Sequence, residues 1–192
     1  MKLELMVPTS LMDIPLRAQQ KFLKSSESSN DTEFIKQKMI ECFCGIDLKE
    51  VVKIKFKDSE DLIADLNKLF EVPKKFYPTF EFGGVKFGFI PNLEEITWEE
   101  YIDLENYLGD WSTMHKAMAV MYRPIIKEKG KRYEIEPYQS AITYCDVMEL
   151  APVAYAIGAS FFFYNLGKEL SNHTAPYLIQ EMKKMNSKIS AR

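Results

Sequence analysis

The densest run of ionisable side chains, Glu94, Glu95, Glu99, Glu100, Asp103, Glu105 and Asp110, uses the residue type that general acid/base catalysis and hard-metal binding require. Carboxylates do that work when a fold gathers them around one point. Here several fall where a helix begins, where the macrodipole favours acidic groups, and no Asp-rich, Gly-containing calcium loop accompanies them. They read as a solvated acidic face. Cys42 and Cys44 offer two soft ligands, but His115 and His173 are far apart along the chain, so a zinc set would depend on the fold to assemble it. Cys44 precedes Gly45 at a helix end, whose dipole disfavours a thiolate, and no serine sits in a Gly-x-Ser-x-Gly elbow. Gly83-Gly84 is too short to cradle a phosphate and suits a tight turn instead. These residues propose no enzyme, no metal and no cofactor, and the expectation is a protein that binds and is bound.

The residues best suited to binding are Trp111, Met114, Met118 and Met121, which share one helical stripe with Ala117 beside it. Two readings stay open. The stripe is either the core-facing side of a helix or a deformable surface gripping an apolar helix of a partner, a use to which methionine is suited. Arg123 follows at the end of that helix, where the dipole favours a cation and the guanidinium can stack on an aromatic ring. A structural role is expected for it, and it joins the stripe as a candidate partner contact. If the stripe is core, the binding surface shifts to Pro152 to Leu170 or to the basic tail over 183–192.

The elements that position these residues are mostly helical. Lys2 to Val7 alternates like a short strand, and Asp13 is placed to cap a helix over Pro15 to Lys24. Asp31 can cap a second helix, with Ile35, Met39, Cys42 and Phe43 on one face and Gly45 as its stop. A third is expected from Asp58 or Ser59, carrying the stripe Leu62, Ile63, Leu66, Leu69 and Phe70. Period-two alternation over 79–90 predicts a hairpin turning at Gly83-Gly84. Thr97-Trp98-Glu99-Glu100 is a capping box opening a helix to Leu108. Gly109 is read as its stop, and Asp110 can cap a following helix that Pro124 ends. A second hairpin is expected over 125–135, and further helices over Ser140 to Met148, Pro152 to Leu170 and Pro176 to Asn186. The fold class is mainly α with minor β: a single helical domain over 1–192 with two small hairpins.

Composition agrees with that class. At 192 residues, 46% hydrophobic and 28% charged, the chain can bury a core, and its formal charge of −3 supplies no general attraction to nucleic acid or anionic lipid. No nucleic-acid partner is expected, and a homo-oligomer is possible. Three cysteines cannot all pair with one another, and Met1-Lys2-Leu3-Glu4 lacks the plan of a signal peptide, so the expected setting is a reducing cytoplasm. Leu150 to Leu166 has no charged residue but falls short of the ~20 apolar residues of a membrane span. It reads as a buried helix.

Several longer motifs run in order along the chain: Pro15-Leu16-Arg17, Lys38-Met39-Ile40, Phe87 to Leu93, Glu100 to Leu104, Met114 to Ile125 and Phe162 to Gly167. With these the chain resembles virion morphogenesis proteins of tailed bacteriophages, including marine and gut, crAss-like types, over most of Ile14 to Leu170. Such proteins are similar to tail assembly chaperones. The resemblance implies a largely helical protein that binds the tape measure or tail tube protein in the host cytoplasm during assembly. It implies no catalytic residue. The chain is longer than the shortest chaperones of that class, which leaves a structural place in the virion (tail, neck or capsid interior) as the alternative.

Overall fold

The computed structural model describes residues 5–130 and 132–169. Over the described residues the chain is mainly helical and carries a four-stranded antiparallel sheet. Helices α1 (Leu16–Glu27), α2 (Thr32–Cys44), α3 (Leu48–Val51) and α4 (Phe56–Glu71) precede strands β1 (Thr79–Phe82) and β2 (Val85–Phe89). Then come α5 (Trp98–Tyr107), α6 (Met114–Met121), β3 (Tyr122–Lys129), β4 (Arg132–Ile135), α7 (Cys145–Leu150) and a helix α8 over 153–169. The expected helix over Pro176 to Asn186 and the basic tail lie outside the described residues.

Local chemistry accounts for several boundaries. The Asp31 side chain accepts from the N–H groups of Glu33 and Phe34 at the start of α2, and Gly45, at φ 66°, closes that helix in the left-handed region that glycine tolerates. Asp13 caps no helix. Its carboxylate accepts from the N–H groups of Thr9 and Ser10 and the Thr9 hydroxyl, bracing the turn that leads to Pro15, which is itself the N-terminal flank of α1. Helix α4 starts at Phe56, ahead of the expected Asp58 or Ser59 cap, with Lys55 at its cap position and no side-chain cap. Its core-facing residues are nonetheless Ile63 and Leu66, as the stripe predicts. Leu5 to Val7 form no strand, and the rest of that segment lies outside the described residues.

The two predicted hairpins belong to one sheet of order β1-β2-β3-β4. Phe80 pairs with Phe87 and Phe82 with Val85 across a turn in which Gly83 and Gly84 take φ 59° and 76°. The helix expected to reach Pro124 stops at Met121 instead, and the chain passes straight into β3. The open edge of β2 makes the difference: Ile90 N–H donates to the Met121 carbonyl, and Gly88 and Phe87 align with Arg123 and Pro124. Pro124 is tolerated within an inner strand beside a register irregularity between Ile125 and Lys127, the setting in which a strand can dispense with a ladder N–H.

One core cluster runs through the described elements. A short antiparallel bridge, Pro15 opposite Pro152, ties the entry of α1 to the entry of α8, with Leu16 N–H donating to the Ala151 carbonyl and Val153 N–H to the Ile14 carbonyl. Helix α8 lays Tyr155 flat on Phe80 at 4.0 Å between ring centroids, and Phe162 on Phe76 at 4.6 Å. Two glycines permit close passage. The Tyr133 ring crosses Gly88 so that its hydroxyl reaches the Phe89 carbonyl, and the backbone at Lys75 runs against Gly158 of α8. Among the described residues no helix is long and apolar enough to cross a membrane.

A Cβ at Gly158 would lie 2.1 Å from the Lys75 carbonyl oxygen, a backbone atom that cannot swing aside. Gly158→Ala should therefore destabilise the protein by about 2 kcal/mol or more in urea unfolding, even though alanine favours a helix by about 1 kcal/mol over glycine. A more stable variant would show that this approach is looser than described.

Candidate functional site

Helix α6 begins after a turn of 3-10 helix, Trp111–Thr113, whose first N–H groups are met by Asp110: its carboxylate accepts from the Ser112 N–H at 2.7 Å. Beyond that turn the helix is enclosed. Met114, Met118 and Met121 are buried, and so are Ala117, Ala119 and Val120, so α6 has almost no outward face. Helix α5, α7 and strand β3 surround it. The methionine stripe is thus core in this structure, and the surface reading of Met114, Met118 and Met121 is corrected. An α-helix presents an apolar stripe to whatever covers it, and here the covering elements belong to the same chain. Trp111 is half-buried, with its carbonyl accepting from the Gln20 side chain at 2.8 Å.

Arg123 is also interior. Its guanidinium pairs through Nη2 with Glu100 Oε1 at 2.5 Å, and both side chains are more than nine-tenths buried. Glu100 is held by the capping box: its Oε2 accepts from the Thr97 N–H at 2.7 Å, while Thr97 Oγ1 accepts from the Glu100 N–H. The Tyr138 ring lies over the guanidinium at 5.4 Å, and its hydroxyl donates to the Asp103 carboxylate. Arg123 is therefore a core cation, not a surface contact for a partner. The capping box of Thr97 and Glu100 is legible in the sequence, whereas the second role of Glu100 is not, because its counter-ion stands on a strand entered from another helix.

The other reactive side chains are similarly enclosed. Cys42, Cys44 and Cys145 are free and buried, and burial pushes the Cys44 thiol up to about 11 and raises the other two as well. Thiols so placed stay protonated and are poor nucleophiles. His115 faces the Gln20 amide through Nδ1 at 3.0 Å and the Glu149 carboxylate through Nε2 at 3.5 Å. Burial lowers its affinity for a proton despite the pull of Glu149. Among the described residues no three His, Cys, Asp or Glu side chains converge as a metal-binding group, and His173 lies outside them.

Binding surface exists elsewhere. A cleft of about 720 Å³ opens between the segment at Leu5 and Val7 and the α3–α4 region, with Ile54 and Leu62 adding apolar lining and Lys53, Lys55, Asp58 and Asp65 contributing charge. Met6, Val52 and Phe56 are strongly exposed on the same segments. A second apolar feature is the outer face of α5, where Trp98 is 78% exposed. On α8, Phe162 and Phe163 pack towards Phe89 while Phe161 and Tyr164 face outward. Comparison with protein-family models, curated proteins and solved structures finds no match.

Two stability measurements check this assignment. Met118→Gln should cost about 2 kcal/mol or more, since it buries an amide with no partner in a packed core; a change within about 0.5 kcal/mol would return the stripe to the surface. Arg123→Met should cost about 3–5 kcal/mol by leaving the Glu100 charge buried alone, and adding Glu100→Gln should recover a large part of it. Additive losses in that double-mutant cycle would deny the coupling.

Proposed function

We propose that this chain is a morphogenesis factor of a tailed bacteriophage that acts as a tail assembly chaperone. It covers apolar helical surface on an aggregation-prone tape measure or tail tube subunit in the host cytoplasm until the tail is built. Such a role needs no catalytic group and no cofactor. It needs an apolar surface that a client can enter and leave.

The observation that carries the reading is the cleft beside α3 and α4. Its volume suits several apolar side chains of a client helix, and its lining joins Leu5, Val7, Ile54 and Leu62 to charged groups of both signs. The motifs behind the phage resemblance support the reading differently. Leu16, Phe87, Phe89, Met114 and Met118 from those motifs are buried and serve the core, while Tyr101, Ile102 and Tyr164 from the same motifs are exposed. Client binding in the cleft would cover Val7, which is exposed, along with the half-buried Leu5, Ile54 and Leu62.

Co-expression with the tape measure and tail tube proteins of the same phage tests this directly. The chain should co-purify with one of them. Val7→Asp should abolish that capture while shifting stability by no more than about 0.5 kcal/mol, as expected for a surface position. Mass spectrometry of purified virions should find the protein absent or in trace amounts. Abundant stoichiometric copies in virions would replace the chaperone role with that of a structural component of the tail, neck or capsid interior.

A further inference from the structure

Helix α5 has two faces with different purposes. Glu100 and Leu104 point into the core, while Trp98, Tyr101 and Ile102, at spacings of three and four residues, are exposed on the other side. The Trp98 and Tyr101 rings lie 5.9 Å apart, so the two form a continuous ridge. Trp98 follows the Thr97 cap as the first residue of the helix, and neither the cap nor the packing of α5 requires an aromatic there. Aromatic side chains of this kind carry much of the energy of protein interfaces.

The surroundings of the ridge state the charge of what it meets. Glu94 and Glu95 in the preceding turn, and Glu99 and Glu105 on α5, are exposed, and among the described residues none of the four has a cation within 4.0 Å. Asp103 adds a further carboxylate, bound by the Tyr138 hydroxyl. An anionic lipid surface or a nucleic acid would be repelled. A second copy of this ridge would bring like charges together. A lysine- or arginine-bearing segment gains twice: its cations meet carboxylates at the rim and aromatic faces at the centre, and its apolar side chains cover Trp98 and Ile102.

We propose that the outer face of α5 is a docking site for a cationic amphipathic helix of a partner protein, with Trp98 as its anchor and the surrounding carboxylates as its charge selector. The site is separate from the cleft and stands without the tail-assembly reading.

The test uses the full chain and two synthetic helical peptides that share a leucine face, one with lysine and one with glutamate on the opposite face. Calorimetry should show that the lysine peptide binds, more weakly as salt rises, and that the glutamate peptide does not. Trp98→Ser should weaken binding at least about tenfold and Glu99→Gln with Glu105→Gln severalfold, both with unchanged melting curves. Tyr101→Ser provides the same test should Trp98→Ser fail to fold. Equal binding of both peptides, or binding indifferent to the ridge variants, overturns the proposal. Loss with Val7→Asp but not with Trp98→Ser would place the peptide in the cleft and overturn it too. Sedimentation showing a dimer that Trp98→Ser dissolves would assign the ridge to self-association instead.

Discussion

The buried ion pair between Glu100 and Arg123 ties the start of α5 to the strand that continues α6, and it leaves Arg123 Nε and Nη1 buried without a hydrogen-bond partner among the described residues. A carboxylate and a guanidinium removed from water are costly unless each is held against the other and their remaining hydrogen-bonding atoms are occupied. Thr97 supplies that restraint for Glu100 from the start of α5, while the passage from α6 into β3 brings Arg123 up beneath it. One side chain therefore caps a helix and neutralises a strand. Tyr138, from the 137–140 segment, lies over the guanidinium and donates its hydroxyl to Asp103.

Around this pair, α6 acts as the central rod of the helical part. Alanine at 117 and 119 lets neighbouring helices come close, and the flexible methionines fill the irregular space left between them. The same property that makes methionine useful in a binding groove makes it a good filler where several elements converge. What separates the two uses is coverage. Helices α5 and α7 and strand β3 cover α6, and no sequence feature within α6 reports them.

With the interior accounted for, the exterior divides into regions of distinct chemistry. The cleft near Leu5, Ile54 and Leu62 has apolar walls and mixed charge. The α5 ridge is aromatic and acidic. The aromatic packing of α8 on the sheet leaves Phe161 and Tyr164 outside both regions.

The sequence alone was enough for features whose physics is local. Asp31 and Thr97 meet backbone donors two or three residues away, Gly83-Gly84 supplies its own turn, and the α4 stripe shows which side faces inward before any partner is known. Asp13 and the start of α4 depart from the local expectation: the Asp13 carboxylate is taken by Thr9 and Ser10, and α4 begins at Phe56 with no side-chain cap. The tertiary structure decided everything that depended on a distant segment. It joined two hairpins into one sheet, with Tyr122 and Arg123 paired to the edge of β2 where helical continuation up to Pro124 was expected. It turned Arg123 and the methionine stripe into core and left Trp98 outside, because burial is a relation between a residue and the segments that cover it. Periodicity reports that a face is apolar; only the arrangement of the rest of the chain determines whether that face is already covered.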